Sequence, residues 1–441
     1  MLRKTALARL ALFLLPLTSM PLRPALAGPP AAEQRAFEDS VRSLAPAAAP
    51  APSQAGRAAE PMQAPVKAQG KAALASAGTV YEFSDGTVDG ALGTSEMRRA
   101  NRAAAEILQR RMQDSRPDDY KLLREAAGAD VVVVAGVYDR VQDVLRAVQI
   151  KHVVIPPALL DRLPLLSTQT LMLNCPGDIS EAAIKKVRAF VERGGYLVTT
   201  DWALRTAAAA FPGTIEHNGR TTPNDVVAVH VHDDKEPLLT HVKVMREHPR
   251  WWLEGSSYPI RVKDKQRVRV LMSSDEMAKR YGDGAVVVAF SWQQGKVLHM
   301  TSHFFLQQSK LVAESEKQKG SSFAKGAGLS DKQVEELRKK GVNVDEVKAG
   351  ELNSAYSMQQ VSTNLIVEKQ ARNRELLEKQ YRARAAADVA LAPSDKAEAQ
   401  KDAARVQRDY RLQVLEQKAG KTRVRDLFGN EGWVPSTAVV Y

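Results

Sequence analysis

Residues 171–200 read LMLNCPGDISEAAIKKVRAFVERGGYLVTT. Leu171 to Asn174 is a short apolar run that ends in the turn residues Cys175-Pro176-Gly177. Beyond the turn, Ile184, Val187, Phe190 and Val191 fall on one face of a helix. Asp178 and Glu181 stand at the spacing of a capping box, and Gly194-Gly195 supplies the stop. Tyr196 to Thr200 is then a second apolar, β-branched run. Strand, capped helix and strand in such close order make a βαβ unit, which requires the two strands to run parallel.

The same alternation extends on both sides. Val131 to Gly136 opens with four consecutive valines, as expected of a strand buried on both faces. A helix over 140–148, a strand over 152–155 and a short helix over Ala158 to Leu163 follow. Past Thr200, a helix over Ala203 to Ala210 precedes strands at 226–232, 267–273, 285–290 and 296–301, the last two joined by Gln293-Gln294-Gly295. The pattern predicts an α/β fold: a flavodoxin-like, doubly wound, mostly parallel sheet that becomes mixed in its second half. Helical periodicity over 94–127, interrupted at Pro117, introduces this domain, which spans residues 79–308.

At the amino end, Arg3, Lys4 and Arg9 precede the apolar run Leu10 to Leu17 and the small-residue site Ala25-Leu26-Ala27, the pattern of an export signal over residues 1–27. The expected location is the periplasm or the extracellular space. No later stretch has the run of apolar residues that a membrane helix needs. Residues 28–78, rich in Ala, Pro, Gln and Gly, read as a disordered linker, with one short helix at 31–44 carried by Phe37, Val41 and Leu44. Residues 309–441 read as a charged helical extension with helices over 331–340, 354–391 and 394–419 and a short apolar tail. Met358, Val361 and Leu365 follow coiled-coil spacing, which Arg372 and Lys379 break, and a homo-oligomer through these helices is one expectation. The formal charge is +12, but four of the positive charges (Arg3, Lys4, Arg9, Arg23) lie in the signal and the rest are dispersed among acids, so nucleic acid is not an expected partner. Cys175 is the only cysteine, which excludes an intramolecular disulfide.

The order Leu171 to Gly177, Ala183 to Arg193, Gly194 to Thr200, and then Gly295-Lys296-Val297-Leu298-His299-Met300-Thr301-Ser302-His303 resembles the class I glutamine amidotransferase-like superfamily, especially its trehalose-utilisation-type branch, over about residues 130–308. The resemblance implies a cysteine nucleophile on the elbow after the strand at 196–200, with a histidine near the position of His303. The elbow here reads Thr200-Asp201-Trp202-Ala203, and Cys175 lies one strand too early. The family fold is therefore expected without the family's thiol chemistry.

Asp201 and Trp202 occupy the elbow where this fold gathers ligand contacts, and Asp201 is the leading catalytic candidate together with His303. The alternative for Thr200 and Asp201 is a helix cap. Trp251, Trp252 and Glu254 suggest an aromatic binding platform, or else core packing. His230 and His232, alternate residues of one strand beside Asp233 and Asp234, could share a divalent metal with His299 or His303, or be plain surface residues. Cys175 fits a small half-buried residue better than a reactive thiolate. The leading expectation is an exported, non-catalytic binding or scaffold protein of the cell envelope without a cofactor, its partner an envelope protein or polysaccharide. The second expectation is a metal-assisted hydrolase using His230, His232 and His303, or a glycan-modifying enzyme centred on Asp201.

Overall fold

The computed structural model describes residues 31–44, 82–83, 95–232 and 235–441. The expected signal, most of the expected linker, and Asp233 and Asp234 lie outside the described residues.

In chain order the first elements are α1 (Ala31–Leu44), β1 (Glu82–Phe83), α2 (Ser95–Ser115), α3 (Pro117–Glu125), β2 (Val131–Val134), α4 (Val141–Ala147), β3 (Val153–Ile155) and β4 (Thr170–Leu173). They continue with α5 (Glu181–Glu192), β5 (Tyr196–Thr200), α6 (Leu204–Ala210), β6 (Ile215–His217), β7 (Asp225–Ala228), β8 (His230–Val231), β9 (Arg250–Leu253), β10 (Ile260–Val262), β11 (Arg269–Ser273), α7 (Asp275–Tyr281), β12 (Ala285–Trp292) and β13 (Gly295–Met300). Strands β3, β2, β4, β5 and β13 lie side by side in that order and all pair in parallel. Numbered within that set, the order is 2-1-3-4-5, the flavodoxin-like arrangement read from the sequence. The antiparallel strands β12, β10 and β6 extend one edge, with β11 attached to β12 and β8 to β11, so the second half of the sheet is mixed as expected. Ala158 to Leu163 forms only a single 3-10 turn, Pro157–Leu159.

The four valines of β2 explain why the sheet is covered on both sides. Val131 and Val133 belong to one apolar cluster with α2 residues such as Ile107, and Val132 and Val134 belong to another with Val187 and Phe190 of α5. Tyr196 and Val198 of β5 face the first layer, and Leu197 faces the second. Successive strand residues point to opposite faces, so an uninterrupted apolar run is the signature of a strand with a layer on each side. The cap of α5 is Ser180, whose Oγ accepts the Ala183 N–H at 3.0 Å, and Asp178 instead pairs with Arg205 at 2.8 Å.

Beyond β13 the chain forms α8 (Gly320–Gly326), α9 (Asp331–Lys339) and the long helix α10 (Ala349–Lys379). The helix is longer at its amino end and shorter at its carboxyl end than its sequence suggests. It does not form a solvated arm, since it packs along α2 with Gln359, Lys369 and Asn373 buried. Its polar side chains satisfy loop carbonyls. Lys369 Nζ donates to the Ser167 and Gly194 carbonyls at 2.8 Å each, Asn373 Nδ2 to the Thr168 carbonyl at 2.7 Å, and Asn364 Nδ2 to the Thr240 carbonyl at 2.8 Å. A buried carbonyl must find a donor, and here the helix provides it.

The helix expected over 394–419 is absent. In its place are β14 (Ala383–Ala385), β15 (Val389–Ala390), β16 (Arg405–Val406), β17 (Arg411–Lys418), β18 (Lys421–Asp426), β19 (Glu431–Pro435) and β20 (Val439–Val440), with five of them in the antiparallel order β19-β18-β17-β14-β20. Ala419 and Gly420 both take positive φ, 42° and 81°, the geometry of a two-residue hairpin turn. An Ala/Lys/Glu/Gln-rich stretch has helical propensity, but tertiary pairing overrides it here. The apolar tail is part of this sheet, with Trp433 and Val434 buried.

Helix α1 is docked, which removes residues 31–44 from the expected linker. Phe37 and Val41 enter the main core, while Ala32 and Ala36 contact the core of the carboxyl-terminal sheet. Glu33 is buried, and its Oε1 accepts the Arg411 N–H at 2.5 Å. Burial pushes the Glu33 carboxyl up from 4.5 to about 7 against that hydrogen bond. A folded-state value above the unfolded one favours the native form most fully below about pH 4.5, and the contribution is lost as pH rises through about 7. Hydrogen exchange of α1 amides should therefore show weaker docking at pH 8 than at pH 5, after correction for intrinsic exchange. Glu33→Gln should abolish most of that difference, and an unchanged difference would remove Glu33 as its source.

Candidate functional site

The strand order decides where the site forms. The carboxyl ends of β2, β4, β5 and β13 lie side by side, and each leads into one member of a buried polar cluster: Asp139, Cys175, Asp201 and His303. Crevices outside the carboxyl ends of parallel strands are where open α/β sheets place ligands.

Two glycines allow the loops to close in. A Cβ on Gly136 would lie 2.2 Å from the Cys175 carbonyl oxygen, and one on Gly177, whose φ is 69°, would lie 2.3 Å from Ala203 Cβ. The β2 loop consequently rests on the β4 loop, whose Cys175 carbonyl accepts the Val137 and Tyr138 N–H groups at 3.1 and 3.2 Å. The β4 loop in turn rests on the elbow, with Cys175 N–H donating to Thr200 Oγ1 at 3.1 Å. Asp201 adopts φ 43° at the turn from β5 into α6. Aspartate enters the left-handed region more readily than most residues, and its carboxylate is fixed by the Tyr258 N–H at 2.8 Å and the Ser257 hydroxyl at 3.0 Å.

His303 is the centre of the cluster. Its Nε2 lies 3.3 Å from Asp201 Oδ2 and its Nδ1 lies 2.9 Å from Glu254 Oε2. Neither contact has hydrogen-bond direction, so both are ion pairs. Cys175 Sγ donates to Asp201 Oδ2 at 4.0 Å. Asp139 accepts the Phe304 N–H at 3.1 and 3.2 Å, fixing the chain just past His303, and the Ser302 hydroxyl donates to the Trp252 carbonyl at 2.6 Å. Trp252 meets the His303 ring edge-on at 6.0 Å.

Burial alone would push His303 down, but Asp201, Cys175 and Glu254 beside it and Asp139 farther off hold it well above its usual range. The imidazole is thereby held toward its charged form. Burial raises the Cys175 thiol to about 11, against the help of His303. A thiol so placed favours its neutral form, and the thiolate is the nucleophile.

Outside this buried centre lies an aromatic rim. Trp202 stacks on Tyr258 at 5.7 Å, Tyr138 meets Trp202 edge-on at 5.3 Å, and His217 stacks on the far face of the group against Tyr258 at 4.0 Å. All four rings are half-buried, and the exposed Arg205 guanidinium lies 6.0 Å from Trp202 and 5.9 Å from Tyr258. Trp202 Nε1 donates to the Ser256 carbonyl at 2.7 Å, which sets the ring's angle.

Of the residues singled out in the sequence, Asp201, Trp202, Trp252, Glu254 and His303 come together. Trp251 does not join them, being fully buried and donating from Nε1 to Ser357 Oγ at 2.9 Å. Among the described residues, His230 and His232 join no group of three close ligand side chains with His303. His230 stacks on His248 at 4.1 Å and lies 3.8 Å from Asp275, while the exposed His232 contacts Ser273 Oγ at 2.8 Å. His299 is buried against Thr199 at 2.8 Å. Cys175 is buried as its small-residue reading implied, yet it stands in the site. Being one strand early does not remove it, because β4 and β5 are neighbours. Ser257 and Tyr258 follow Glu254 in the stretch read as an aromatic platform, whereas Asp139 and Tyr138 carry no motif of their own, and only their position after a buried strand hinted at them.

No protein-family model and no curated protein matches this sequence. Among solved structures, the chain is similar to a putative GMP synthase subunit from Thermoplasma acidophilum (10% identity, 56% of this chain and 97% of that one, TM-score 0.35). It is also similar to a glutamine amidotransferase from Thermotoga maritima (10% identity, 56% and 99%, TM-score 0.29) and to a putative ThuA-like protein from Bacteroides uniformis (17% identity, 40% and 84%, TM-score 0.30). At scores this low the assignment of architecture rests on the strand order itself.

The thiol makes the first test. In EDTA-treated native protein at pH 7.5, Cys175 should react with iodoacetamide at least about 100-fold more slowly than in the same protein unfolded in guanidinium, because the rise from 9.0 to about 11 alone removes that much thiolate. Equal rates in the two states would show that the thiol is neither buried nor neutral.

Proposed function

We propose that this is an exported binding protein of the cell envelope, built on an amidotransferase-like α/β domain and lacking thiol catalysis, that captures a glycan at its aromatic rim. The reading of export rests on the basic, apolar and small-residue pattern of residues 1–27. The observation that carries the binding reading is the half-buried group Tyr138, Trp202 and Tyr258 with Arg205 at its edge, standing at the carboxyl ends of the parallel strands. Ligand sites combine aromatic walls with a few fixed polar groups, and the rim has both. Aromatic faces suit the apolar C–H faces of sugar rings, and a guanidinium suits their hydroxyls or a carboxylate.

The case against thiol catalysis is also one of geometry. Asp201 stands on the elbow where a nucleophilic cysteine would be needed, its carboxylate engaged by Ser257, Tyr258 and His303. The glycan-modifying alternative is favoured by one observation, the presence of two carboxylates, Asp201 and Glu254, on either side of one imidazole.

Titration of soluble fragments of bacterial envelope polysaccharide, followed by tryptophan fluorescence and calorimetry, tests both readings. Trp202→Ala should weaken binding at least tenfold while leaving the melting temperature within a few degrees, since the ring is only half-buried. Absence of binding by the wild type would refute the glycan reading. Turnover of a fragment that is lost in Asp201→Asn would replace binding with catalysis.

A further inference from the structure

The buried cluster has the donor set of a metal site. Among the described residues, Cys175, Asp201 and His303 form the one group of three or more such side chains whose ligand atoms, one from each, all lie within 4.8 Å of one another, and all three are buried. We infer that Cys175 Sγ, Asp201 Oδ2 and His303 Nε2 bind one divalent transition-metal ion, with zinc as the ion their chemistry suits. This goes beyond the glycan reading and does not rest on it.

The geometry supports the assignment in three ways. A tetrahedral zinc ion, with bonds of about 2.0–2.1 Å to nitrogen and oxygen and about 2.3 Å to sulfur, separates its ligands by roughly 3.3 Å for N and O and roughly 3.6 Å for S and O. The corresponding separations are 3.3 Å between His303 Nε2 and Asp201 Oδ2, and 4.0 Å between Cys175 Sγ and Asp201 Oδ2. The third edge, from Cys175 Sγ to the His303 ring, is within 4.8 Å, so the set closes around an ion by an inward shift of the Cys175 side chain.

Second, His303 is about 98% buried and neither of its ring nitrogens makes a directed hydrogen bond. A buried polar atom without a directed partner calls for an explanation. Nε2 lies 3.3 Å from Asp201 Oδ2 without the direction of a hydrogen bond to it, a geometry that suits a shared ion better than a donor and its acceptor.

Third, the surroundings are those of a metal's supporting shell. Metal-binding histidines almost always direct their other nitrogen at a carboxylate or carbonyl, which fixes the tautomer and the ring angle. Glu254 Oε2 stands 2.9 Å from Nδ1, and a small turn of the ring would direct Nδ1 at it. The ligating carboxylate should itself be held, and Tyr258 N–H and the Ser257 hydroxyl hold Asp201. The thiolate, imidazole and carboxylate mixture selects zinc over magnesium or calcium, which prefer oxygen alone.

The charge balances. When the ion enters, the proton on His303 and the proton on Cys175 leave to solvent, and a dication bound by one thiolate, one carboxylate and a neutral imidazole is neutral overall. Three protein ligands leave a fourth position for a water or for a group of a ligand. The metal would thus replace the proton that otherwise holds His303 between Asp201 and Glu254.

The test uses the full-length protein purified without a histidine tag, dialysed against EDTA and then titrated with Co²⁺ or Zn²⁺. One equivalent of Co²⁺ should bind and give the intense near-ultraviolet band of thiolate-to-cobalt charge transfer, and excess Zn²⁺ should abolish it. Cys175→Ser should lose the band and at least tenfold in affinity, His303→Ala should lose binding, and His230→Ala with His232→Ala should behave as the wild type. Binding without the charge-transfer band, or binding lost only in the His230/His232 variant, would overturn the assignment. So would wild-type protein that takes up no metal while remaining folded by circular dichroism. The cobalt spectrum is read on the wild type, so a variant that fails to fold does not rescue the proposal. Glycan titration of EDTA-treated and zinc-loaded protein is read separately, so loss of either reading leaves the other standing.

Discussion

His303 sits between two carboxylates in a place that water scarcely reaches, and the loops around it are arranged to make that tolerable. An ionised group in a low-dielectric interior costs several kcal/mol unless opposite charge and hydrogen bonds offset it. Asp201 and Glu254 provide the charge, Ser257 and Tyr258 N–H satisfy Asp201, and Asp139 holds the backbone beyond His303 through Phe304 N–H. Four strand ends and the segment after β9 therefore depend on one imidazole. Any movement of one loop would leave a buried charge without its partner, which is far more costly than the loss of an exposed ion pair.

That constraint also shapes the surface. Ser257 and Tyr258 are bound to Asp201, and Trp202 follows Asp201 directly in the chain, so the aromatic rim inherits its geometry from the charge cluster beneath it. Tyr138 is drawn in from the other side by the pairing of its N–H with the Cys175 carbonyl. Rigid aromatic faces held by a buried polar network are preorganised, the condition under which the proposed capture of a ligand costs little entropy. The elbow after β5 carries a carboxylate turned inward and held by Ser257, Tyr258 and His303.

The helix α10 shows why the carboxyl-terminal third was harder to read than the sheet. Lys369, Asn373, Asn364 and Gln359 look like a solvated face when only their polarity is considered, yet each donates to a carbonyl or side-chain oxygen of another segment. A helix buried on most of its circumference has no amphipathic period to detect, and polar residues that serve distant loops cannot be told from polar residues that face water. The strands after it were hidden for a different reason. Their pairing partners lie within sixty residues, but the hairpin turn is Ala419-Gly420, without the Asn-Gly or Asp-Gly signal that marks such turns.

The sequence by itself determined the α/β class and the strands β2, β3, β4 and β5 with their short connections, because strand and helix periodicities and glycine stops are local properties of the chain, whereas the parallel pairing of β13 with β5, across some ninety-five intervening residues, was decided by the tertiary structure. It also brought forward Asp201 and Trp202 from the strand end, Trp252 and Glu254 from an aromatic stretch, and His303 from the family resemblance. Tertiary structure alone decided that Cys175 and Asp139 join them, that Trp251 serves the core, and that His230 and His232 stand apart. Cys175, Asp201 and His303 lie on three strands adjacent in space and separated by up to 128 positions in the chain. Only the order of strands in the folded sheet, which no local spacing records, makes them neighbours.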